Sequence, residues 1–142
     1  MIPEEKYKYI MEVLPILCVD IMLKNDKGEF LLIKRGREPL KGHWWVIGGR
    51  VLKGEDLKDA AIRKISEETG ILVNEVKLIG YYEDANEINP FGLSIPLHSV
   101  SVVFSASFNG DQDIHLDYQS VAWKFSKKLP KRFNIKLLES SV

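Results

Sequence analysis

Between residues 49 and 71 the chain reads GRVLKGEDLKDAAIRKISEETGI. The groups there that could do chemistry are Gly49, Glu55, Arg63, the adjacent pair Glu67 and Glu68, and Gly70 followed by Ile71. On a helix, positions 64, 67 and 68 stand three and four residues apart and share a face. Arg63 lies one turn before Glu67 and can also reach back to Glu55, bracing the preceding loop onto the helix. Adjacent carboxylates near a helix C-terminus are unfavourable, because the helix dipole is already negative there. A hard cation relieves that conflict, and oxygen ligands of this kind suit Mg²⁺ shared with the phosphates of a substrate. Gly48 and Gly49 let a backbone approach a phosphate or cation closely. Alone, the two glutamates would read as a solvated helix face; the whole constellation points to diphosphate chemistry.

The elements that must position these groups follow from the hydrophobic pattern. Leu57, Ala61 and Ile65 recur at helical spacing and predict a helix over 57–69, with Gly70 as its C-cap. Ahead of it, 3–13 predicts a short amphipathic helix with Tyr7, Ile10, Met11 and Leu14 on one side. Residues 17–23 and 29–34 predict two strands joined by a turn at Asn25-Asp26-Lys27-Gly28. Residues 36–43 form a polar loop, and Trp44 to Ile47 a short strand entering Gly48-Gly49. Later strands are expected at 75–82, 98–108 and 120–125, and a terminal helix from Pro130 to Leu138. The fold class is α+β, a mixed sheet sandwiched between helices in an α/β/α arrangement. No repeat or linker divides the chain, so residues 1–142 are expected to form one domain.

Composition narrows the function. Lys plus Arg equals Asp plus Glu, 20 each, so no global basic field argues for a nucleic acid polymer as partner. Cys18 is the one cysteine and reads as a small buried hydrophobe, which excludes a disulfide framework. No segment approaches the ~18 uncharged apolar residues of a membrane span, and the N-terminus does not resemble a signal peptide. A cytoplasmic setting is expected.

Residues 49–71 resemble the Nudix box: Gly, five residues, Glu, seven residues, Arg-Glu, aliphatic, any, Glu-Glu, any, Gly, aliphatic. One position departs from it, Lys64 standing where the pattern has Glu. The resemblance implies a Nudix fold and Mg²⁺- or Mn²⁺-dependent hydrolysis of a nucleoside diphosphate linked to another moiety. Under it Glu67 and Glu68 become metal ligands, Gly49 offers its carbonyl, and Glu55 and Arg63 are structural partners. Lys64 cannot ligate a metal while protonated. Three readings stay open: fewer bound metals, a base from elsewhere, or a module that binds nucleotides without turnover.

The run LPILCVDIMLKNDKGEFLLIKR followed by GHWWVIGGRV is similar to the start of the GDP-mannose mannosyl hydrolase branch, which also lacks that Glu. The similarity implies attack of water at the sugar carbon of a nucleotide sugar, GDP-mannose or GDP-glucose being the first expectation. Its matching residues are Asp20, Arg35, Arg50, Arg63 and Glu68, with a homodimer through the N-terminal helix. Cleavage between phosphorus atoms, as on ADP-ribose or an NTP, is the alternative. Asp20 is also conspicuous unaided, an acid within an apolar strand, although an outward position on an alternating strand would explain it equally. Arg35 and Arg50 flank the site and could hold phosphate oxygens. In the loop before Trp123, either His115 acts as base or Asp117 as a third metal ligand. His43 and His98 have no second His at ligand spacing. Trp44 or Trp45 could stack on a nucleobase, with core packing the blander role.

Overall fold

Alternation along one strand assigns the two faces of the sheet. In β1 (Ile16–Lys24), Val19, Ile21 and Leu23 are fully buried against Ala60, Ala61 and Ile65 of α2 (Leu57–Thr69). The residues between them point the other way. Ile16 and Cys18 pack with Met11, Tyr7 and Ile10 of α1 (Glu4–Val13). Such a period of two divides one strand between two environments. The computed structural model describes residues 2–110 and 112–139.

Around β1 the sheet is mixed. β6 (Leu97–Ser107) runs parallel to β1 from Ile16↔Ser99 to Lys24↔Ser107, and β4 (Ile47–Arg50) pairs antiparallel on the opposite edge, Cys18 facing Arg50 and Asp20 facing Gly48. β2 (Phe30–Arg35) joins β1 at Lys24↔Phe30, then pairs with β3 (Trp44–Trp45) and β7 (Ser120–Ser126). β5 (Lys77–Glu87) lies antiparallel to β6. The turn after β1 is tied by the Asn25 side chain, whose Oδ1 accepts from the Lys27 and Glu29 amides at 3.0 and 2.9 Å.

The helix over 57–69 forms as the sequence predicts. Asp56 caps its start by accepting from the Lys58 amide at 2.9 Å, and Gly70 ends it at φ 74°, the left-handed conformation that glycine adopts without strain. The terminal helix expected from Pro130 to Leu138 does not form. Phe133 and Ile135 instead pack, at strand spacing, on the sheet face opposite α2, where Trp45 and Tyr82 lie 5.3 and 5.6 Å from the Phe133 ring. A short strand β8 (Lys136–Leu137) follows, paired with β5 through Gly80↔Leu137. Side chains 133 and 135 share a face at a period of two, which a helix would separate. One face therefore carries α2, while α1 and an irregular C-terminal segment cover the other. Leu14, expected on the buried side of α1, is exposed, as are Tyr9 and Val13. No helix among the described residues is long and apolar enough to cross a membrane.

Candidate active site

The expected brace is present in full. Arg63 donates through Nε to Glu55 Oε2 at 2.7 Å and through Nη2 to Glu55 Oε1 at 2.9 Å and the Arg50 carbonyl at 3.0 Å. Its Nη1 reaches both oxygens of Glu67, at 3.2 and 3.1 Å. One planar guanidinium thus ties the loop, the end of β4 and the acidic helix together, a geometry that suits arginine and not lysine. The Arg63 guanidinium holds the Glu55 carboxyl below the usual carboxylate range.

Glu68 projects from the inner face of α2 and is fully buried. Its Oε2 accepts from the Gly48 amide at 3.1 Å, while Oε1 has no hydrogen-bond partner among the described residues. Burial pushes its carboxyl up to about 7, opposed by the Lys64 charge and reinforced by Asp117. A buried carboxylate oxygen left unpaired is costly and is the donor that a hard cation would satisfy. Glu68, Glu67 and the Gly49 carbonyl fit a divalent cation on that ground. Among the described residues no three of His, Cys, Asp and Glu converge as a metal-binding group. Asp117 is therefore not assembled as a third ligand: its Oδ1 accepts from the Gln119 amide at 3.0 Å, and its charge acts on Glu68 at longer range.

Lys64 occupies the space between these acids. It is only 7% exposed, its Nζ standing 3.4 Å from Glu67 Oε2 and 3.9 Å from Glu68 Oε1. Its stem lies across Gly49, where a Cβ would come within 2.5 Å of Lys64 Cε. Gly49 is thus the recess that houses a lysine on this helix face.

Gly49, Arg63, Lys64 and Glu67 border a cavity of about 520 Å³ that reaches from the end of α2 to Asp20 and Cys18 of β1. Asp20, Arg35, Arg50, Lys64 and Glu67 all line it, together with Cys18, Tyr82, Glu87, Ser99 and Ser101. Asp20 points inward, 7% exposed, so the outward alternative does not hold. Burial pushes it up to about 8, against the Ser101 hydroxyl, which favours its charge. The Ser99 hydroxyl donates to Glu87, whose carboxyl burial also raises. Arg35 donates to the Pro39 carbonyl at 2.6 Å, and the Arg50 guanidinium lies 4.5 Å from the Tyr7 ring centre. Burial pushes the Cys18 thiol up to about 12, which disfavours its thiolate.

His115 does not join them. Its amide donates to the Thr69 carbonyl at 2.7 Å, at the end of α2, and its side chain lies over Gly70, outside the cavity. That position ties a loop to a helix end. Trp45 is among the cavity's lining residues, but its ring packs with Tyr82 and Phe133. The sequence reading passed over Glu87, Ser99 and Ser101. For the serines the signal was present, since in HSVSVVF they alternate with Val100 and Val102 and mark the polar side of a strand. Glu87 lay beyond the predicted end of its strand.

The raised Asp20 carboxyl has a measurable consequence. The unfolded chain ionises this group near its ordinary value of 3.8, whereas the folded protein holds the proton up to about 8. Between those values the native state binds more protons, so raising pH lowers stability through this group. Asp20→Asn is expected to remove that loss, on the order of a few kcal/mol at alkaline pH. Melting curves in EDTA at several pH values between 5 and 9 check this. The variant's Tm advantage must grow with pH, and a constant difference would contradict it.

A family model described as the NUDIX domain matches residues 14–128. Low-salt glycan biosynthesis protein Agl8 of Haloferax volcanii is 30% identical over 118 residues, 83% of this chain and 74% of that protein. An ADP-ribose pyrophosphatase of Methanocaldococcus jannaschii is 36% identical over 97 residues, 68% of this chain but only 53% of its own length. Among solved structures, the MutT protein from Methanosarcina mazei superposes with a TM-score of 0.61 at 27% identity, covering 79% of this chain and 77% of that one. The MutT NUDIX hydrolase from Burkholderia pseudomallei gives 0.68 at 24%, covering 84% and 92%, and speaks for the fold alone. With the brace, the buried Glu68 and the cavity in one place, the chain belongs to the NUDIX domain family and is a Nudix hydrolase.

Proposed function

We propose that this enzyme hydrolyses a nucleoside diphosphate-linked sugar at the sugar carbon, releasing the nucleoside diphosphate and the free sugar. The observation that carries this reading is the make-up of the cavity. Arg35, Arg50 and Lys64 supply positive charge for a diphosphate, while Asp20, Glu87, Ser99 and Ser101 offer carboxylates and hydroxyls suited to a polyhydroxyl group. The relative named for glycan biosynthesis supports the same substrate class. GDP-mannose and GDP-glucose are the first members to test.

In this reading Arg35 and Arg50 hold phosphate oxygens, pre-positioned by their contacts with Pro39 and Tyr7. The water oxygen bonds to the anomeric carbon as the bond from that carbon to the diphosphate oxygen breaks, its electron pair leaving with the diphosphate. The water proton passes to a carboxylate of the cavity. Asp20 lines the cavity and can take that proton only when ionised, a state that burial delays to about pH 8. Mg²⁺ or Mn²⁺, held by Glu67, Glu68 and the Gly49 carbonyl, would supply neutralising charge for the leaving diphosphate.

A second reading, cleavage between the phosphorus atoms, is favoured by the 36%-identical relative named as an ADP-ribose pyrophosphatase. The two separate cleanly. The protein is incubated with Mg²⁺ in ¹⁸O-water and a panel of GDP-mannose, GDP-glucose, ADP-ribose and NTPs, and the products are resolved by mass. Label in the free sugar with unlabelled nucleoside diphosphate is expected. Label in a phosphate, with nucleoside monophosphate released, would replace the first reading with the second.

A further inference from the structure

We propose that the Lys64 ammonium is a resident cation of this site: it binds the diphosphate of the substrate directly and takes a position that an acidic residue would give to a divalent ion. The inference rests on the nucleoside diphosphate reading of the cavity. It starts from what Lys64 does not do. A buried lysine normally spends its donors on well-formed hydrogen bonds or neutralises itself. Here the ammonium has three donors and one long hydrogen bond, to Glu67 Oε2 at 3.4 Å, and it lines the cavity. Glu68 Oε1, 3.9 Å away, makes no hydrogen bond at all. The nearest acids are thus close enough to hold the charge in place and too loosely engaged to consume its donors.

The position is built. The stem runs across Gly49, where no side chain would fit beside it, so backbone and helix together aim the ammonium at the cavity wall. Arg63 cannot serve instead, because Glu55, Glu67 and the Arg50 carbonyl saturate its guanidinium. Among the cavity's cations, Lys64 is the one seated between the acidic pair. An incoming diphosphate, rich in acceptor oxygens and negative charge, satisfies the unused donors. A second divalent ion at the ammonium's own position would meet like charge instead.

Two measurements without turnover test this. First, GDP and ADP are titrated calorimetrically into the wild type and Lys64→Met in EDTA, methionine filling the channel beside Gly49 without the charge. The wild type is expected to bind the better nucleotide without any divalent ion, and Lys64→Met to bind it at least about tenfold more weakly. Equal affinities, or no binding by the wild type, overturn the proposal. Second, Mn²⁺ bound per chain is counted by electron paramagnetic resonance. Lys64→Glu is expected to hold one more ion than the wild type, and an equal count in a folded variant overturns the proposal. If Lys64→Glu fails to fold, the nucleotide titration decides alone. Neither measurement depends on which bond is hydrolysed, so the labelling experiment judges the reaction and these judge Lys64.

Discussion

Glu68→Gln is expected to reduce kcat by at least about a hundredfold, the scale on which one preorganised electrostatic group contributes to catalysis, while leaving the protein folded. The reason lies in the isolation of this carboxylate. It is fully buried, one oxygen accepts from the Gly48 amide, and the other makes no hydrogen bond among the described residues, its nearest cation being Lys64 at 3.9 Å. Glutamine keeps the volume and can still accept from Gly48, but it cannot present two anionic oxygens. Because burial works against the ionised form, removing the charge relieves the folded state. The variant's Tm in EDTA at pH 8 is expected to equal or exceed that of the wild type. Glu67→Gln should cost less activity, since Glu67 is about half exposed and already shared with Arg63 and Lys64. Steady-state kinetics with matched melting curves check this. Undiminished turnover in Glu68→Gln would remove it from the metal-binding set, and loss of folding would make its role structural.

The second large effect concerns stability. Gly48→Ala is expected to destabilise the protein by roughly 3 kcal/mol or more, at the upper end of overpacking costs, and to lower Tm by roughly 10 °C. A Cβ at Gly48 would come within 2.6 Å of the Val19 carbonyl and collide with the Asp20 carboxylate. Neither neighbour can give way cheaply, one being ladder backbone and the other buried. The control is Gly54→Ala. Gly54 has φ +83° and open space around it, so its substitution carries only the left-handed backbone penalty of ~1–2 kcal/mol. Chemical denaturation of both variants checks the ranking. If Gly54→Ala is as damaging as Gly48→Ala, close packing at the glycine pair is not what limits stability.

The same residues explain what could be read from the chain before its structure. Local chemistry was legible: Asp56, Leu57, Ala61, Ile65 and Gly70 specify a helix with both its ends, and Arg63 has its two partners eight residues before it and four after. The hairpin turn was legible for the same reason, since Asn25 satisfies its neighbours within four residues. What failed was non-local. Residues 130–138 look amphiphilic at either period, and only the open edge of β5 and the aromatic shelf of Trp45 and Tyr82 favour strand spacing. The face of Asp20 was undecidable because it depends on whether α2 or the cavity lies beneath each residue of β1. His115 and Asp117 sit in a loop whose path is set by contacts with the end of α2 and with Gln119. Counting back from Trp123 could not have revealed that path.

Parallel pairing of β1 with β6 also sets an order of assembly. The acidic helix and its brace draw on neighbouring residues, whereas Ile16 and Ser99 must find each other across more than eighty residues. Contacts of such long sequence separation form slowly. During synthesis the signature residues of the motif are all made while the strand bearing Ser99 and Ser101 has yet to emerge, and Asp20 lacks half its surroundings. A nascent or partly unfolded chain carries every signature residue of the enzyme with no chamber in which to use them. The chamber exists only once that distant strand lies beside β1.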